Sequence, residues 1–290
     1  MKFGVFSLYV LFSSVFLGEI QVGFAGIETY ARNYITWDDM KVDMRKERLD
    51  SRDERNQSRI IVVDKHGRGD SLTVQGAVDT VPEHNSERVK IYIRPGIYRE
   101  KVFVPVSKPY VSFVGDQNQT SATVITWNNK ASDEGRDGCQ LGTYRSASVT
   151  IESDYFCATG ITFENSVVAV PGGYGMQAVA LRIAGDKAMF YRVRILGTQD
   201  TLLDDSGSHY FYQCHIQGSV DFIFGNSRSL YQECTLYSTA NRFGAIAAHH
   251  RDSVDDDTGF SFVNCKITGT GLVYLGRALG KLFASNIFKL

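Results

Sequence analysis

"FYRVRILGTQDTLL" (Phe190–Leu203) and "FYQCHIQGSVDFIF" (Phe211–Phe224) are two copies of one pattern, offset by 21 residues. Phe, Tyr, Ile, Gly and Asp recur at matching places, and each copy reaches an aspartate, Asp200 and then Asp221. Further copies lie on either side. "FCATGITFEN" sets Ile161 five residues after Phe156, as Ile195 follows Phe190 and Ile216 follows Phe211. "YQECTL" and "FVNCKI" align with "FYQCHI", which stacks Cys214, Cys234 and Cys265 and, two residues on, Ile216, Leu236 and Ile267. The successive offsets are 34, 21, 20 and 31 residues.

Units of about twenty residues, mostly strand and with excursions of variable length, predict a parallel β-solenoid. Matching strands of neighbouring turns pair in parallel and insertions loop out at the corners. Cys and Ile two apart share a face, so the repeated pair is expected to point inward. A propeller or sandwich needs hairpins, and Asn-Gly or Asp-Gly turns are scarce. The fold class predicted is therefore all-β, a parallel β-helix with a short N-terminal helix and incomplete C-terminal coils. The stacked cysteines read as small apolar fillers; a Cys214–Cys234 disulfide is the alternative, since adjacent coils lie ~4.8 Å apart.

The folded body is expected from "RIIVVDK" onward, residues 59–290. "HGRGDSLTVQGAVDTV" lacks the phosphate-loop pattern and reads as a turn with Asp70 or Ser71 capping a short helix. Before it, residues 26–58 form a charged leader or linker. Residues 1–25 combine Lys2, an apolar run from Phe3 to Leu17 and small residues to Ala25, the anatomy of a secretory signal. A membrane anchor is the alternative, but the run is short of the ~20 residues a span needs. Sequons at Asn56 and Asn118 accord with export and glycosylation.

With 31 basic and 32 acidic residues, a net charge of −1 gives no indication of nucleic-acid binding. Five cysteines without CxxC spacing argue against a zinc site. "HH" at 249–250 with Asp255, Asp256 and Asp257 could bind metal, but a solvated corner loop is the simpler reading. Glu100 in "GIYRE" reads as half of a structural ion pair.

In a solenoid the 21-residue offset stacks Asp200 on Asp221, with Cα atoms on the order of 5 Å apart. Two such carboxylates cannot both ionise easily, which divides them into a proton donor and an ionised partner. Solvated corner residues are the alternative. Gln199 adjoins Asp200, and Gln177 lies 22 residues earlier, near a coil length; amide donors there suit a developing oxyanion. Arg277 in "YLGR" recurs on the same side of a later coil and could hold one aspartate ionised. The set suits hydrolysis of a glycoside or an ester.

"GIYRE" (96–100), "QAVALR" (177–182), "GTQDTL" (197–202), "YFYQCHIQGSVDFIFGN" (210–226) and "YLGR" (274–277) resemble, in order, the signature blocks of the plant-type pectinesterases, over roughly residues 59–277. The resemblance implies a right-handed parallel β-helix, secreted to the cell wall. It implies hydrolysis of the methyl esters of galacturonate units in pectin, without metal or cofactor. By position, Asp221 matches the nucleophile, Asp200 the general acid and then base, Gln177 and Gln199 the oxyanion donors, and Arg277 the arginine that holds the nucleophile. Ser148, Phe224 and Leu279 fall at substrate-contacting positions, together with Gln177 and Arg277. Leu279 stands where the family usually has a sugar-stacking Trp. The resemblance also implies further coils and a covering segment, so the chain is expected to be C-terminally truncated, with residues from about Lys281 foreign to the fold. An inactive homologue that only binds wall polysaccharide, or folds poorly, is the alternative. A polygalacturonase or pectate lyase is disfavoured: neither three Asp with a catalytic His-Gly nor a calcium set is evident. Pectin is the expected partner, with a proteinaceous inhibitor a further candidate, and the chain is expected to be a monomer.

Overall fold

The computed structural model describes residues 59–170, 172–278 and 286–289, with only the backbone of Ala278. The expected secretory signal and leader, the Asn56 sequon and Leu279 lie outside these residues. The described chain winds into a parallel β-helix with three walls. The segment "VKIYIRPGIYREKVFVP" makes one complete turn: Val89–Ile93 lies in the first wall, Gly96–Arg99 in the second and Val102–Val104 in the third. Arg94 with Pro95, then Glu100 with Lys101, break the strand character at the two corners.

Every described strand pairing is parallel. The first wall forms a nine-stranded sheet from Ile60–Val63 to Asn286–Lys289. The second and third walls form one continuous sheet, because Thr235–His249 runs through the corner and pairs in both.

Alternation sorts each strand into an inward and an outward set. In the first wall Phe190, Phe211, Tyr231, Phe262 and Phe288 occupy one register. Their rings stack face to face at 4.8, 4.5, 4.7 and 4.4 Å between centroids. In the second wall Ile125, Phe163, Ile195, Ile216, Leu236 and Ile267 stack likewise. Each stacked ring pair adds about 0.5–1.5 kcal/mol to the burial of its area.

The observed offsets of 21, 20 and 31 agree with those of the repeat. The first does not: Ile195 pairs with Phe163 and Phe190 with Ala158, an offset of 32 rather than 34. A two-residue slip leaves the inward set inward, so alternation alone could not detect it.

Cys214, Cys234 and Cys265 are buried, unbonded thiols, and their Sγ atoms donate to Phe190 O, Phe211 O and Tyr231 O at 3.4 Å each. Each thiol thus reaches back one coil. Beside them Arg192, Gln213, Glu233 and Asn264 turn the corner at φ of 49°, 53°, 53° and 53°. These left-handed residues are not glycines. Arg192 Nε donates to Gln213 Oε1 (3.1 Å) and Gln213 Nε2 to Glu233 Oε2 (2.9 Å), a polar ladder along the corner.

The short helix is Val74–Asp79, and its cap is Thr73, whose hydroxyl accepts from Gly76 N, rather than Asp70 or Ser71. Asp70 is instead taken up by Val62 N (2.7 Å) and Ser71 by the backbone of Thr73. Among the described residues Glu100 makes no ion pair; its carboxylate accepts from Val74 N and Gln75 N (2.8 and 2.9 Å), at the positive end of the helix. A second, single-turn helix, Gly142–Arg145, has no counterpart in the sequence reading. The adjacent histidines part company: His249 is buried edge-on against Phe260, while the half-buried His250 meets Asp252 at 2.9 Å. No described helix is long and apolar enough to cross a membrane.

Candidate active site

The corner between the second and third walls carries the paired aspartates. Gln199 bridges Val220 in parallel, and Asp200 N donates to Val220 O (3.1 Å). Beyond the corner Leu202 pairs with Ile223 and Leu203 with Phe224. The 21-residue offset therefore runs through the corner and sets Asp200 one rung from Asp221, with neighbouring strands about 4.8 Å apart. Both aspartates adopt left-handed backbone, φ 59° and 47°.

Glycines make the corner possible. A Cβ on Gly197 or Gly218 would collide with the Thr201 hydroxyl, and one on Gly218 also with the Phe222 ring. The two "G–D" spacings of the repeat are thus a packing requirement as well as a chemical one.

Asp221 is 6 % exposed and held by Arg277. Arg277 Nε donates to Asp221 Oδ1 (2.7 Å) and Nη2 to Oδ2, a two-pronged, charge-assisted pair. Asp200 is partly buried. Burial, followed by the negative charge of Asp221, pushes its carboxyl up to about 7, against the opposing influence of Arg277 and a hydrogen bond from Gln199. Near neutrality the site therefore holds one carboxylate locked to a guanidinium and one carboxyl that can carry a proton.

Gln177 and Gln199 occupy matching places because of a bulge. Ala178 N donates to Gln199 O and Ala180 N to Thr201 O, but Leu181 N also reaches Thr201 O. The offset is 22 before this doubled acceptor and 21 after it, where Leu181 pairs with Leu202. Gln177 Oε1 is enclosed and has no hydrogen-bond partner among the described residues. The Gln177 carbonyl accepts from Ala131 N (2.8 Å), which ties its loop to the long loop before Gly142–Arg145.

The structure thus brings Asp200, Asp221, Gln199 and Arg277 together and sets Gln177 in the adjoining coil. Ser148 is 1 % exposed, with its hydroxyl enclosed and without a partner among the described residues, so it lies within the wall rather than on its open face. Phe224 is 7 % exposed and packs with Ala147, Val179, Leu203 and Ala248 in an apolar strip on the outside of the third wall.

One charged group escaped the sequence reading. Asp204 and His209 meet inside the coil, Oδ1 to Nδ1 at 2.5 Å. Tyr231 donates to the other Asp204 oxygen (2.6 Å), and His209 Nε2 faces Gly185 O (2.8 Å). Both ring nitrogens face acceptors, so the pair holds an extra proton. Inward phase was the available signal: Asp204 lies two after Leu202 and His209 two before Phe211.

Comparison with known proteins places this geometry. A family model described as pectinesterase matches residues 60–283. Pectinesterase QRT1 of Arabidopsis thaliana is 65 % identical over 266 residues, covering 86 % of this chain and 70 % of that protein. Probable pectinesterase 8 of the same plant is 45 % identical over 227 residues, covering 75 % of this chain but only 56 % of its own length. Among solved structures, the pectin methylesterase from carrot superposes with a TM-score of 0.67 at 34 % identity, covering 78 % of this chain and 71 % of that one.

Proposed function

The chain belongs to the pectinesterase family of carboxylic ester hydrolases, and from that membership we propose that it hydrolyses the methyl esters of galacturonate units in pectin, through an aspartyl acyl-enzyme. The observation that carries this reading is the stacking of Asp200 one rung from Asp221, with Arg277 forked onto Asp221 alone. That asymmetry gives two chemically identical side chains different work.

In the proposed sequence an Asp221 oxygen attacks the ester carbonyl carbon, and the carbonyl π electrons move onto oxygen. The amides of Gln177 and Gln199 stabilise that oxyanion. The enclosed Oε1 of Gln177 leaves its NH2 as the end able to meet a ligand. Collapse breaks the bond to the methoxy oxygen, which takes the proton of Asp200 and leaves as methanol, and Asp221 is now bound to the uronyl group as an anhydride. Asp200, now a carboxylate, takes a proton from water as the water oxygen attacks the anhydride. The uronyl group departs as the free acid, which keeps the second water proton and loses it to solvent; Asp221 is an anion again and Asp200 is protonated. A carboxyl titrating near 7 suits a group that must give and recover a proton in each turnover.

No metal or cofactor enters this scheme. We read residues 1–25 as a secretory signal, the cell wall as the place of action, methyl-esterified pectin as the partner and the monomer as the working state. A proteinaceous inhibitor remains a candidate second partner. The deciding assay measures methanol released from methylated pectin alongside new reducing ends and unsaturated product. Methanol alone supports the esterase; chain cleavage without methanol overturns it.

A further inference from the structure

Within the single turn Val89–Val104 the outward positions reverse the usual order of exposure. Ile97 on the second wall and Phe103 on the third are 63 % and 44 % exposed, whereas Lys90 on the first is 8 % exposed. Lys90 is not alone. It shares an outward register with Ser112 and Cys157 of the next two coils, which are 0 % and 2 % exposed. Their strand neighbours Ile91, Phe113 and Ala158 fill the core, so all three side chains point away from it. The same strip ends at Ile287, which is 62 % exposed. The outer face of the first wall is therefore covered over its N-terminal coils and open at its far end.

Among the described residues Arg88 crosses the strip, Nη1 donating to Ser112 Oγ (2.7 Å) and Nη2 to Tyr155 O (2.9 Å). It is itself half-buried, and one guanidinium does not enclose three coils. A buried ammonium also requires a partner, because a charge taken from water unpaired is costly. Arg88 and Lys90 are each engaged by a further partner, as are Tyr191 and Tyr212, three and four coils beyond Lys90 on the same face. Those two tyrosine rings stack with 5.7 Å between centroids.

The cover must bring carboxylates to the cations and an apolar surface to the tyrosines, and it must be tethered near the first coil. The leader meets all three conditions. It joins the wall at Arg59, whose carbonyl accepts from Lys90 N (2.8 Å). Back from Arg59, a stretch of mixed charge gives way to "WDDMKVD" (Trp37–Asp43), in which Asp38, Asp39 and Asp43 follow a tryptophan. The order matches that of the face: carboxylates lie nearer the tether, as the cations do, and the indole lies farther out, as the tyrosines do. The spacing matches as well. Six residues separate Trp37 from Asp43, up to about 20 Å when extended, and three rungs separate Lys90 from Tyr191, about 15 Å.

We propose that Trp37–Asp43 is an intrachain strap across the outer face of the first wall, its aspartates paired with Lys90 and Arg88 and Trp37 packed on the Tyr191–Tyr212 stack. The strap is independent of the esterase reading but bears on the same coils. Tyr191 and Tyr212 each lie nine residues before an aspartate of the catalytic pair. Trp37 thus clasps from outside the two coils whose register sets Asp200 beside Asp221.

The test uses the full chain and two variants of the strap, Trp37→Ala and the triple Asp38→Asn, Asp39→Asn, Asp43→Asn, which leave every residue of the coils in place. A small thiol reagent is applied in pulses and each cysteine is followed by mass spectrometry, with exposed Cys139 and core Cys214 as references. In the wild type the outward-facing Cys157 is expected to react as slowly as Cys214. Each variant should speed Cys157 about tenfold or more, as local opening replaces global opening, and leave Cys139 and Cys214 unchanged. A carbodiimide should cross-link Lys90 to one of the three aspartates within a single chain. Cys157 reacting as fast as Cys139 in the wild type would overturn the strap, as would a Cys157 rate that neither variant changes. Protection that grows with protein concentration, with Lys90 cross-linked to another chain, would put a second copy on this face and overturn it as well.

Discussion

Arg277 grips both carboxylate oxygens of Asp221 across 56 residues of chain, from two coils farther along the same wall. The fork fixes a charge and a direction together, and a point charge on a flexible stem cannot replace both. Arg277→Ala is expected to lower kcat for methanol release by about 10²-fold, and Arg277→Lys by less, with KM moving little in either. The side chain is half exposed, so the melting temperature should change only slightly in both. A KM effect without a kcat effect would contradict the assignment.

Asp200 supplies a pH dependence of known sign. Its carboxyl is pushed up to about 7 by burial and by Asp221, so the protonated donor is present below that value and lost above it. Methanol release should decline above about pH 7, tenfold per unit where this step limits the rate. Stability follows the same group. An acid whose folded pKa is raised costs stability as pH rises from its unfolded value near 4 toward 7, and the cost is complete above 7. Asp200→Asn should therefore stabilise the fold at pH 8 by about 1–2 kcal/mol, allowing for the carboxyl's partial exposure, and leave it nearly unchanged at pH 4. Thermal melts at the two pH values check the sign.

The buried Asp204–His209 pair sets a different window. Burial opposes both charges, but their mutual attraction and hydrogen bonds prevail, raising His209 and lowering Asp204. The stability from His209 is present below its unfolded pKa near 6.5 and lost as pH rises through its higher folded value. That from Asp204 is present above about 3.8 and lost as pH falls through its lower folded value. His209→Phe leaves a buried, unpaired carboxylate and should cost about 3–5 kcal/mol, whereas Asp204→Leu with His209→Phe should recover much of that loss. Melts of the three proteins near neutral pH separate these outcomes.

Much of this architecture was legible in the sequence, for physical reasons that also mark the limits. A coil length fixed by two corners made Phe190 repeat at Phe211 and carried Asp200 onto Asp221. Insertions hid register: the 32-residue coil ending at Phe190 was read as 34, because period-two alternation cannot resolve a two-residue slip. The 22-residue spacing of Gln177 and Gln199, read as near a coil length, exceeds the 21-residue coil by the one residue that the doubled acceptor at Thr201 absorbs. Glu100 was read as an ion-pair partner because nothing local shows that a helix 25 residues earlier in the chain ends against it. Phe224 and Ser148 were expected to meet substrate and are 7 % and 1 % exposed; phase along a strand gives a side chain's direction but not its exposure.

The thiol ladder yields a chemical test of the fold. Cys139 is exposed, while Cys157, Cys214, Cys234 and Cys265 are buried, and burial holds Cys157 and Cys234 protonated. A thiol reagent should label one cysteine in the native chain and five after denaturation. Rapid native labelling of Cys214 or Cys234 would mean that the coil interior is open.

The central claim is that Asp221 is the nucleophile of an ester hydrolase, and its replacement by asparagine is the most direct measurement. The substitution keeps the size of the side chain and removes its charge. Methanol release from methyl-esterified pectin is predicted to fall by about 10³-fold or more, with an unchanged cooperative melt. A well-folded Asp221→Asn protein that still releases methanol within tenfold of the wild type would contradict the account.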